Sequence, residues 1–445
     1  MTLPRQALMR AVELSAAIGV VLGFRRLYSL FWSNGYLGPP FVFDVNDTFM
    51  DWFNTAWWAH NGHAYDIWRT VYLPLSFVIT GLLGDPGCYD RSPFDARDCD
   101  VVGIGVILLT YMACITVTGF AFWRNDRGSA IYRTIAVAIG GPLLFALERG
   151  QLIMFTYIAF VLLYGGLLRG RASYVGTAAF MANTKVYMVF PLFALAAKRD
   201  WRAFELCALA SLALYLLTLL VVGAGTPVEI VSNLQNWFGA RLGTVWDEML
   251  YTTTYKPLLM LDVYQYPVRD YIPQRTVDAG VVFIHAYVIF SRLLCWVCIG
   301  LAWLYPRAIS TNRLILFILM QSFINQNPGG YSITLIVFLV FMEKARSPAT
   351  VIAVLCAYAM SVPGDWTLVK LFDQPRQSWL SGRDVMSEYV VPWGALIRPG
   401  IIAIMLWALA FDSLVNFHRY LRTHAPLWGL RSHAMPGTPG QPATA

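Results

Sequence analysis

The sequence predicts an all-α polytopic membrane protein, a bundle of about 12 membrane segments, each of roughly 20 apolar residues or fewer. Hydrophobic residues make up 57% of the 445-residue chain and charged residues only 13%, a balance outside the range of soluble domains. The basic residues, which give a net charge of +7, lie in short clusters between apolar stretches. This spacing is typical of positive-inside topology signals, so no nucleic-acid partner is expected.

The basic clusters orient the chain when all of them are placed in the cytoplasm. They are Arg5/Arg10, Arg124/Arg127/Arg133, Arg169/Arg171, Lys198/Arg199/Arg202, Arg307/Arg313, Lys344/Arg346 and Arg419/Arg422. The first apolar stretch, 11–33, is interpreted as an uncleaved signal anchor. Residues 1–432 then form a single transmembrane domain in a bacterial plasma membrane, with both termini cytoplasmic, and 433–445 form a disordered tail.

Three outer loops are predicted, at 34–100, 223–278 and 363–391, and the last two mix aromatic and charged residues as lids do. The apolar stretch 71–84 lies inside the first loop. If it crossed the membrane, Arg124 and Arg127 would lie outside, against the charge rule. It is therefore interpreted as an interfacial helix that is too short to span.

The remaining membrane segments follow from the apolar runs. Spans are predicted near 101–123, 131–147, 152–168, 203–222, 279–305, 312–325, 330–342, 348–362 and 392–414. The stretch 172–197 begins and ends beside basic clusters, so it should return to the side on which it started. Two half-length helices that meet near residues 183–185 satisfy this, and a helix broken at membrane depth is tolerated where it lines a protein cavity.

Three carboxylates, Asp44, Asp47 and Asp51, follow the first apolar helix and lie among aromatic residues such as Trp52. A carboxylate beside a low-dielectric wall can have its proton affinity tuned for general-base work. For Asp47 a helix cap is an equal alternative. Asp51 is harder to explain as a cap because it lies one turn further on.

The same outer loop contains other polar candidates. His63, with Asp66 close by and His60 upstream, leaves a divalent metal open, but the spacing matches no metal signature, and neither a metal nor any other cofactor is expected. Cys88 and Cys99 flank a polar stretch and predict either an outer-face disulfide, which would contribute about 3 kcal/mol, or two free thiols.

Four cations near the membrane are candidate phosphate contacts. Arg149 follows Glu148 in a very short outer turn, and the two side chains can pair with each other. Lys185 lies at the break between the half-helices, where its alternatives are a structural ion pair, for example with Glu148, and a contact to phosphate. Arg25 and Arg26 lie late in the first helix and either snorkel to lipid head groups or clamp a lipid phosphate.

Several motifs occur in a distinctive order. They are Met50-Asp51-Trp-Phe-Asn-Thr-Ala, Gly62-His-Ala-Tyr65-Asp66, Tyr72-Leu-Pro74-Leu, Gly150-Gln151, and Thr184-Lys185 before Pro191 and Lys198-Arg-Asp-Trp-Arg. This order, over roughly residues 10–205, resembles the bacterial polyprenyl-phosphate-mannose-dependent α-mannosyltransferases, of the GT-C class of membrane glycosyltransferases. Leu73 and Val186 depart from the family pattern, which usually has Pro at those places, and no Asn follows Gln151 at the usual place.

The resemblance implies roles for the residues singled out above. The family's catalytic Asp falls on Asp51, and its Lys falls on Lys185. The remaining expectations are supporting or acceptor roles for Asp44, Asp47, His63, Asp66 and Trp52, and donor-phosphate contacts from Lys185, Arg149, Arg25, Arg26 and Gln151.

The expected reaction is an inverting transfer of mannose or another hexose or pentose from a polyprenyl-phosphate donor to a glycolipid or polysaccharide acceptor, on the outer face and among membrane lipids. One alternative is a polysaccharide polymerase or ligase that uses diphosphate-linked glycans and the outer-face residues Arg241, Arg269, Arg275, Arg376 and Arg383. Another is a lipid or glycan transporter. No P-loop and no G-x-S-x-G elbow occurs, which argues against nucleotide-driven transport and hydrolase chemistry.

Overall fold

The computed structural model describes residues 3–41, 44–222, 227–239, 252–255, 270, 272–324 and 329–424. Most of these residues are helical. The helices are α1 Leu3–Asn34, α2 Met50–Asn61, α3 Pro74–Leu82, α4 Pro93–Cys99, α5 Val101–Asn125, α6 Ala130–Ala138, α7 Gly141–Glu148, α8 Ile153–Tyr164, α9 Arg171–Thr184, α10 Phe193–Ala197, α11 Trp201–Val222, α12 Pro227–Gly239, α13 Gln274–Leu304, α14 Thr311–Phe323, α15 Ile333–Phe341, α16 Pro348–Ser361 and α17 Gly394–His424. Short 3-10 helices cover Pro86–Cys88, Val186–Leu192 and Gly330–Ser332.

Within this described part, six helical stretches are long and apolar enough to cross a membrane. They are Ala7–Asn34, Val101–Asn125, Ala130–Glu148, Trp201–Val222, Gln274–Leu304 and Gly394–Thr423. Shorter apolar stretches are Ile153–Tyr164, Val186–Ala197, Gly330–Phe341 and Pro348–Ser361. The chain is thus a predominantly helical membrane protein, as predicted, whereas the count of about 12 segments stays a prediction.

Two of the shorter apolar helices, α8 and α15, are largely buried, whereas four of the six long stretches are less than a third buried. Every residue of α15 is buried, as expected for a helix that is apolar on all sides. Its Phe338 stacks on Phe122 of α5, with ring centroids 5.7 Å apart. In contrast, only 11% of the apolar window of α11 is buried inside the protein. The outward-facing apolar side chains of such a helix suit contact with lipid.

Buried ion pairs lie at one end of the bundle. Arg133 donates to Glu13 at 2.8 Å, and each side chain is 2% exposed. Arg313 pairs with Glu343 at 2.8 Å and joins a second carboxylate, on α17. Removing one partner of such a pair would leave a buried charge uncompensated, at a cost of about 3–5 kcal/mol. Glu13 lies in the first half of α1, far from Asn34 at its end. Arg133 lies on α6, far from Glu148 at the end of α7.

Two features of the chain carry the candidate site at the opposite end. The helix α3 has nine residues, about 13 Å at 1.5 Å per residue, and is therefore too short to cross a bilayer. The helix α9 ends at Thr184, and Lys185 follows with extended backbone, φ −142° and ψ 133°. The chain then continues as a 3-10 helix, so the helix is interrupted at a lysine.

The segment 363–391, predicted as an outer loop, contains most of a hairpin of two antiparallel strands, β1 Thr367–Gln377 and β2 Asp384–Pro392. The all-α prediction is wrong for this segment. Cross-strand aromatic stacking stabilises the pair, since the ring centroids of Phe372 and Tyr389 are 4.2 Å apart. Most of the predicted loop 223–278 and the whole tail 433–445 lie outside the described residues.

Candidate functional site

Backbone hydrogen bonds fix Asp51 to a turn that is 100 residues away in sequence. The amide of Phe49 donates to the carbonyl of Glu148 at 2.8 Å, and the amide of Asp51 donates to the carbonyl of Arg149 at 3.0 Å. Phe49, at the N-cap of α2, has φ +64°, a left-handed conformation that is uncommon for a bulky residue. Backbone strain of this kind persists where surrounding contacts impose it, and it clusters at functional sites.

Arg149 holds two carboxylates at once. Its Nη2 donates to Asp51 Oδ1 at 2.9 Å and its Nε donates to Asp51 Oδ2 at 3.3 Å, while Nη1 donates to Asp47. Burial alone would lower the pKa of Arg149, but the charges of Asp51 and Asp47 outweigh it and hold that pKa well above its usual value. The guanidinium is therefore a permanent cation that orients the Asp51 carboxylate.

Gln151 supplies a further donor to Asp51. Its Nε2 lies 2.6 Å from Asp51 Oδ2 and 3.4 Å from the hydroxyl of Tyr72. The Gln151 side chain is buried, and its Oε1 has no hydrogen-bond partner among the described residues. Burial, with help from the Asp51 charge, raises the pKa of Tyr72, so its hydroxyl keeps its proton. A buried acceptor without a partner is costly and suits a ligand hydroxyl.

Lys185 places a second cation beside these groups. Its Nζ lies 4.5 Å from the ring centroid of Tyr72 and 5.5 Å from that of Tyr331. In the part of the chain that the structure describes, this ammonium makes no hydrogen bond and no ion pair. Cation–π contacts of this kind are worth up to about 2 kcal/mol when desolvated, but they leave all three N–H donors of the ammonium free for an anion.

From the sequence, Glu148 is expected to pair with Arg149 or with Lys185, and the structure gives it a different partner. Arg149 bonds Asp47 and Asp51 rather than its sequence neighbour, because adjacent residues at a helix end point in different directions. Glu148 instead accepts from the Thr48 hydroxyl at 3.1 Å. Lys185 makes no ion pair with Glu148 within the described residues, so the alternative of that structural pair is wrong.

Other predicted site residues lie away from Asp51. Trp52 is 1% exposed and stacks on Phe155 with centroids 6.2 Å apart, because successive helical residues point about 100° apart. The ring of Trp52 thus packs inside the bundle, and the supporting or acceptor role assigned to it stays a prediction. His63 and Asp66 pair with each other at 2.9 Å on the surface.

The remaining cations and carboxylate are also peripheral. The guanidinium of Arg26 lies 4.5 Å over the ring of Trp366, and Arg25 is exposed. Neither contacts Asp51 within the described residues. Asp44 is partly exposed, and Arg376 lies 3.9 Å from it. Of the predicted residues, the structure brings together Asp47, Asp51, Arg149, Gln151 and Lys185.

Arg97 is a functional candidate that the sequence analysis missed. It is 2% exposed, donates to the carbonyls of Asn46 and Thr48, and reaches the Asn46 side chain at 3.1 Å. It lies on α4, which ends at Cys99. Cys99 is bonded to Cys88, with Cα atoms 5.6 Å apart. The bonded loop thus carries the arginine that clamps the acidic turn; the only hint in the sequence was a basic residue beside a cysteine.

The turn of the β hairpin covers the same acidic segment. The indole of Trp379 packs edge-on against Phe49, with centroids 5.4 Å apart, and lies 4.8 Å from the Arg97 guanidinium. Its Nε1 donates to Asp98 at 2.8 Å. The hairpin therefore supports the left-handed Phe49 that begins the helix carrying Asp51.

We expect Arg97→Gln to destabilise the protein by about 2–3 kcal/mol, because hydrogen bonds from a charged donor to one buried and one partly buried carbonyl are lost. The measurement is the free energy of unfolding in detergent. Arg91→Gln removes an exposed arginine of the same loop and should change the free energy of unfolding by less than about 0.5 kcal/mol. Equal effects of the two substitutions would show that Arg97 does not clamp the turn.

Gly150 allows the close approach of the turn to α2. It has φ +63°, and a Cβ there would lie 2.9 Å from the carbonyl oxygen of Phe49 and 3.1 Å from Trp52 Cβ. We expect Gly150→Ala to cost about 1–2 kcal/mol for the left-handed backbone and more for the contact, and to displace Arg149 from Asp51. Thermal unfolding and the rate of the reaction proposed below would both be measured.

Gly166→Ala is the matched control for Gly150→Ala. Gly166 has φ +69°, but a Cβ there meets nothing within 4 Å. It should therefore cost only the backbone term and leave activity unchanged. If both variants lose stability and activity equally, close packing at Gly150 does not position the site.

Among the described residues, no group of three or more His, Cys, Asp or Glu side chains is arranged to hold a metal ion. His60, one of the two histidines considered as ligands, stacks on Tyr89 with centroids 4.5 Å apart. No protein-family model, curated protein or solved structure matches this chain.

Proposed function

We propose that this protein is a membrane glycosyltransferase that moves a sugar from a polyprenyl-phosphate donor to a glycolipid or polysaccharide acceptor on the outer face of a bacterial plasma membrane. The observation that carries the proposal is the pairing of two features. Asp51 is a carboxylate fixed by Arg149 and Gln151, and Lys185 beside it is a cation whose N–H groups make no hydrogen bond within the described residues. The order of the motifs that contain these residues supports the same reaction.

In the proposed reaction, Asp51 accepts the proton of an acceptor hydroxyl while that oxygen bonds to the anomeric carbon. The bond from that carbon to the phosphate oxygen breaks in the same step, and polyprenyl phosphate leaves with the bonding electrons. Arg149 and Gln151 hold the Asp51 carboxylate in a fixed orientation, as a general base requires. A single displacement of this kind inverts the anomeric configuration.

Lys185 is the residue that we assign to the leaving phosphate. The phosphate gains negative charge as the bond breaks, so a positioned ammonium binds the transition state more strongly than the donor. Arg149 is less suited because its three nitrogens already bond two carboxylates. Arg25 and Arg26 stay available for lipid head groups. The free Oε1 of Gln151 is assigned to a sugar hydroxyl.

The experiment is transfer by the purified protein in proteoliposomes, with radiolabelled sugars on polyprenyl phosphate, on polyprenyl diphosphate and on nucleotides. Transfer from the monophosphate-linked sugar alone would support the proposal. Transfer from the diphosphate-linked glycan would establish the polymerase or ligase alternative. Movement of intact lipid-linked sugar between leaflets without any transfer would establish a transporter.

The sidedness of the proposal has its own test. A topology reporter fused at residue 92, between α3 and α4, should report the extracytoplasmic side because α3 is too short to span. A reporter at residue 168, between α8 and α9, serves as the control and should report the cytoplasm. A cytoplasmic signal at residue 92 would contradict an outer-face site.

A further inference from the structure

A cavity of about 550 Å³ lies at the end of the bundle that is remote from Asp51. Its lining comes from three parts of the chain: the start of α1, the connection from α5 to α6, and the segment between α15 and α16. The charged residues of the lining are Arg10, Glu13, Asp126, Arg133, Lys344 and Arg346. Its volume is in the range of small-molecule sites.

The floor of the cavity is a buried ion pair in which the two charges balance. Glu13 accepts from Arg133 at 2.8 and 2.9 Å, from Ser129 at 3.2 Å and from Tyr358 at 3.1 Å. Arg133 also donates to the carbonyl of Glu343 at 3.0 Å. These groups hydrogen-bond to one another and the two charges cancel, so the floor itself provides little net charge for a ligand.

The wall, in contrast, is basic and has few partners. Arg10, Lys344 and Arg346 line it as exposed side chains, together with one carboxylate, Asp126. Within the described residues, the side chains of these three cations make no hydrogen bond and no ion pair. A Cβ at Gly128 would lie 2.6 Å from the Arg10 guanidinium, so the glycine gives that guanidinium room against the turn. The cavity wall therefore has three cations, from two distant segments, and fewer carboxylates than cations.

Along the bundle axis, the cavity lies at the level expected for a membrane surface. Glu13 and Asn34 are 21 residues apart on α1, about 32 Å at 1.5 Å per residue, which is close to the thickness of a bilayer's hydrocarbon core. The Asp51 site lies near the far end of α1 and this cavity near its start. A ligand here therefore lies at head-group depth on the opposite face.

We propose that this cavity binds a phosphate ester, held by Arg10, Lys344 and Arg346, and that its binding bridges α1 to the segment between α15 and α16. Guanidinium and ammonium donors that converge from several directions match the oxygens of a phosphate. Two sources share this chemistry: the head group of an anionic phospholipid and a soluble phosphate ester. The site is independent of the proposed glycosyl transfer.

The test measures the thermal unfolding midpoint of the full chain in phosphatidylcholine nanodiscs. One arm replaces phosphatidylcholine stepwise with phosphatidylglycerol, and the other adds glycerol phosphate to the buffer. A ligand that binds the folded state raises the midpoint in proportion to its occupancy. The cavity variant is Arg10→Gln/Lys344→Gln/Arg346→Gln. The matched control, Arg169→Gln/Arg202→Gln/Arg307→Gln, removes the same charge from exposed positions outside the cavity.

We expect wild type and control to be stabilised by the phosphate-bearing ligand, and the cavity variant to bind about fivefold more weakly for each cation removed. Stabilisation by phosphatidylglycerol alone identifies a lipid head group, and stabilisation by glycerol phosphate identifies a soluble ester. Equal losses in the control and cavity variants would overturn the site in favour of diffuse surface charge, as would no stabilisation by either ligand. If the triple variant does not fold, Lys344→Gln and Arg307→Gln are compared by the phosphatidylglycerol retained in native mass spectrometry.

Discussion

Asp51→Asn should lower the rate of sugar transfer by about 10³-fold, since a positioned general base contributes 10²–10⁴-fold and asparagine cannot take up the proton. The protein should still fold, because the substitution keeps the shape of the side chain and Arg149 retains Asp47 as a counter-ion. The measurement is single-turnover transfer from a labelled polyprenyl-phosphate sugar, with the unfolding midpoint recorded for the same preparation.

Asp47→Asn and Asp44→Asn are the controls for Asp51→Asn. Asp47 bonds the same guanidinium as Asp51, so a purely structural counter-ion role would give the same loss in both variants. We expect a much smaller loss for Asp47→Asn and near wild-type transfer for Asp44→Asn. Equal transfer by Asp51→Asn and wild type would remove Asp51 as the base.

The second large effect is expected for Lys185→Gln, with kcat lowered by about 10²–10³-fold, the cost of losing one preorganised contact to developing charge. KM should change much less, because the contact strengthens as the phosphate leaves. Stability should not fall greatly, since the ammonium loses only its contacts with the rings of Tyr72 and Tyr331. Steady-state transfer at varied donor concentration separates the two constants.

Two further lysine substitutions give this prediction its controls. Lys185→Arg keeps the charge and should restore part of kcat. Lys198→Gln removes a lysine whose Nζ donates to backbone carbonyls, one of them that of Pro306 at 2.5 Å, and it should lower stability without changing kcat. An unchanged kcat in Lys185→Gln would make Lys185 a structural cation.

Local sequence signals predict much of the helical architecture. Apolar run lengths place the long helices, such as α5 and α11, and a lysine between two short helical stretches marks the break at Lys185. The positive-inside rule and the length of 71–84 both indicate a segment that does not span the membrane. The structure has a nine-residue helix there. These are properties of adjacent residues, so they can be read without knowledge of tertiary contacts.

The hairpin and the partners of Arg149 could not be predicted in the same way. The strand β1 carries Lys370, Asp373 and Arg376 and lacks a clean apolar alternation, so its pairing depends on β2 and on Trp379 docking against Phe49. Arg149 bonds residues about 100 positions away, whereas sequence adjacency favoured Glu148. Long-range contacts of this kind decide the candidate site.

The anomeric configuration of the product tests the central claim most directly. A polyprenyl-phosphate sugar labelled with ¹³C at the anomeric carbon is turned over by the wild-type protein, and the one-bond carbon–hydrogen coupling of donor and product is measured by NMR. With Asp51 as a general base in a single displacement, the coupling should report inversion. Retention of configuration would contradict the account, because it requires two displacements and a covalent intermediate in place of proton transfer to Asp51.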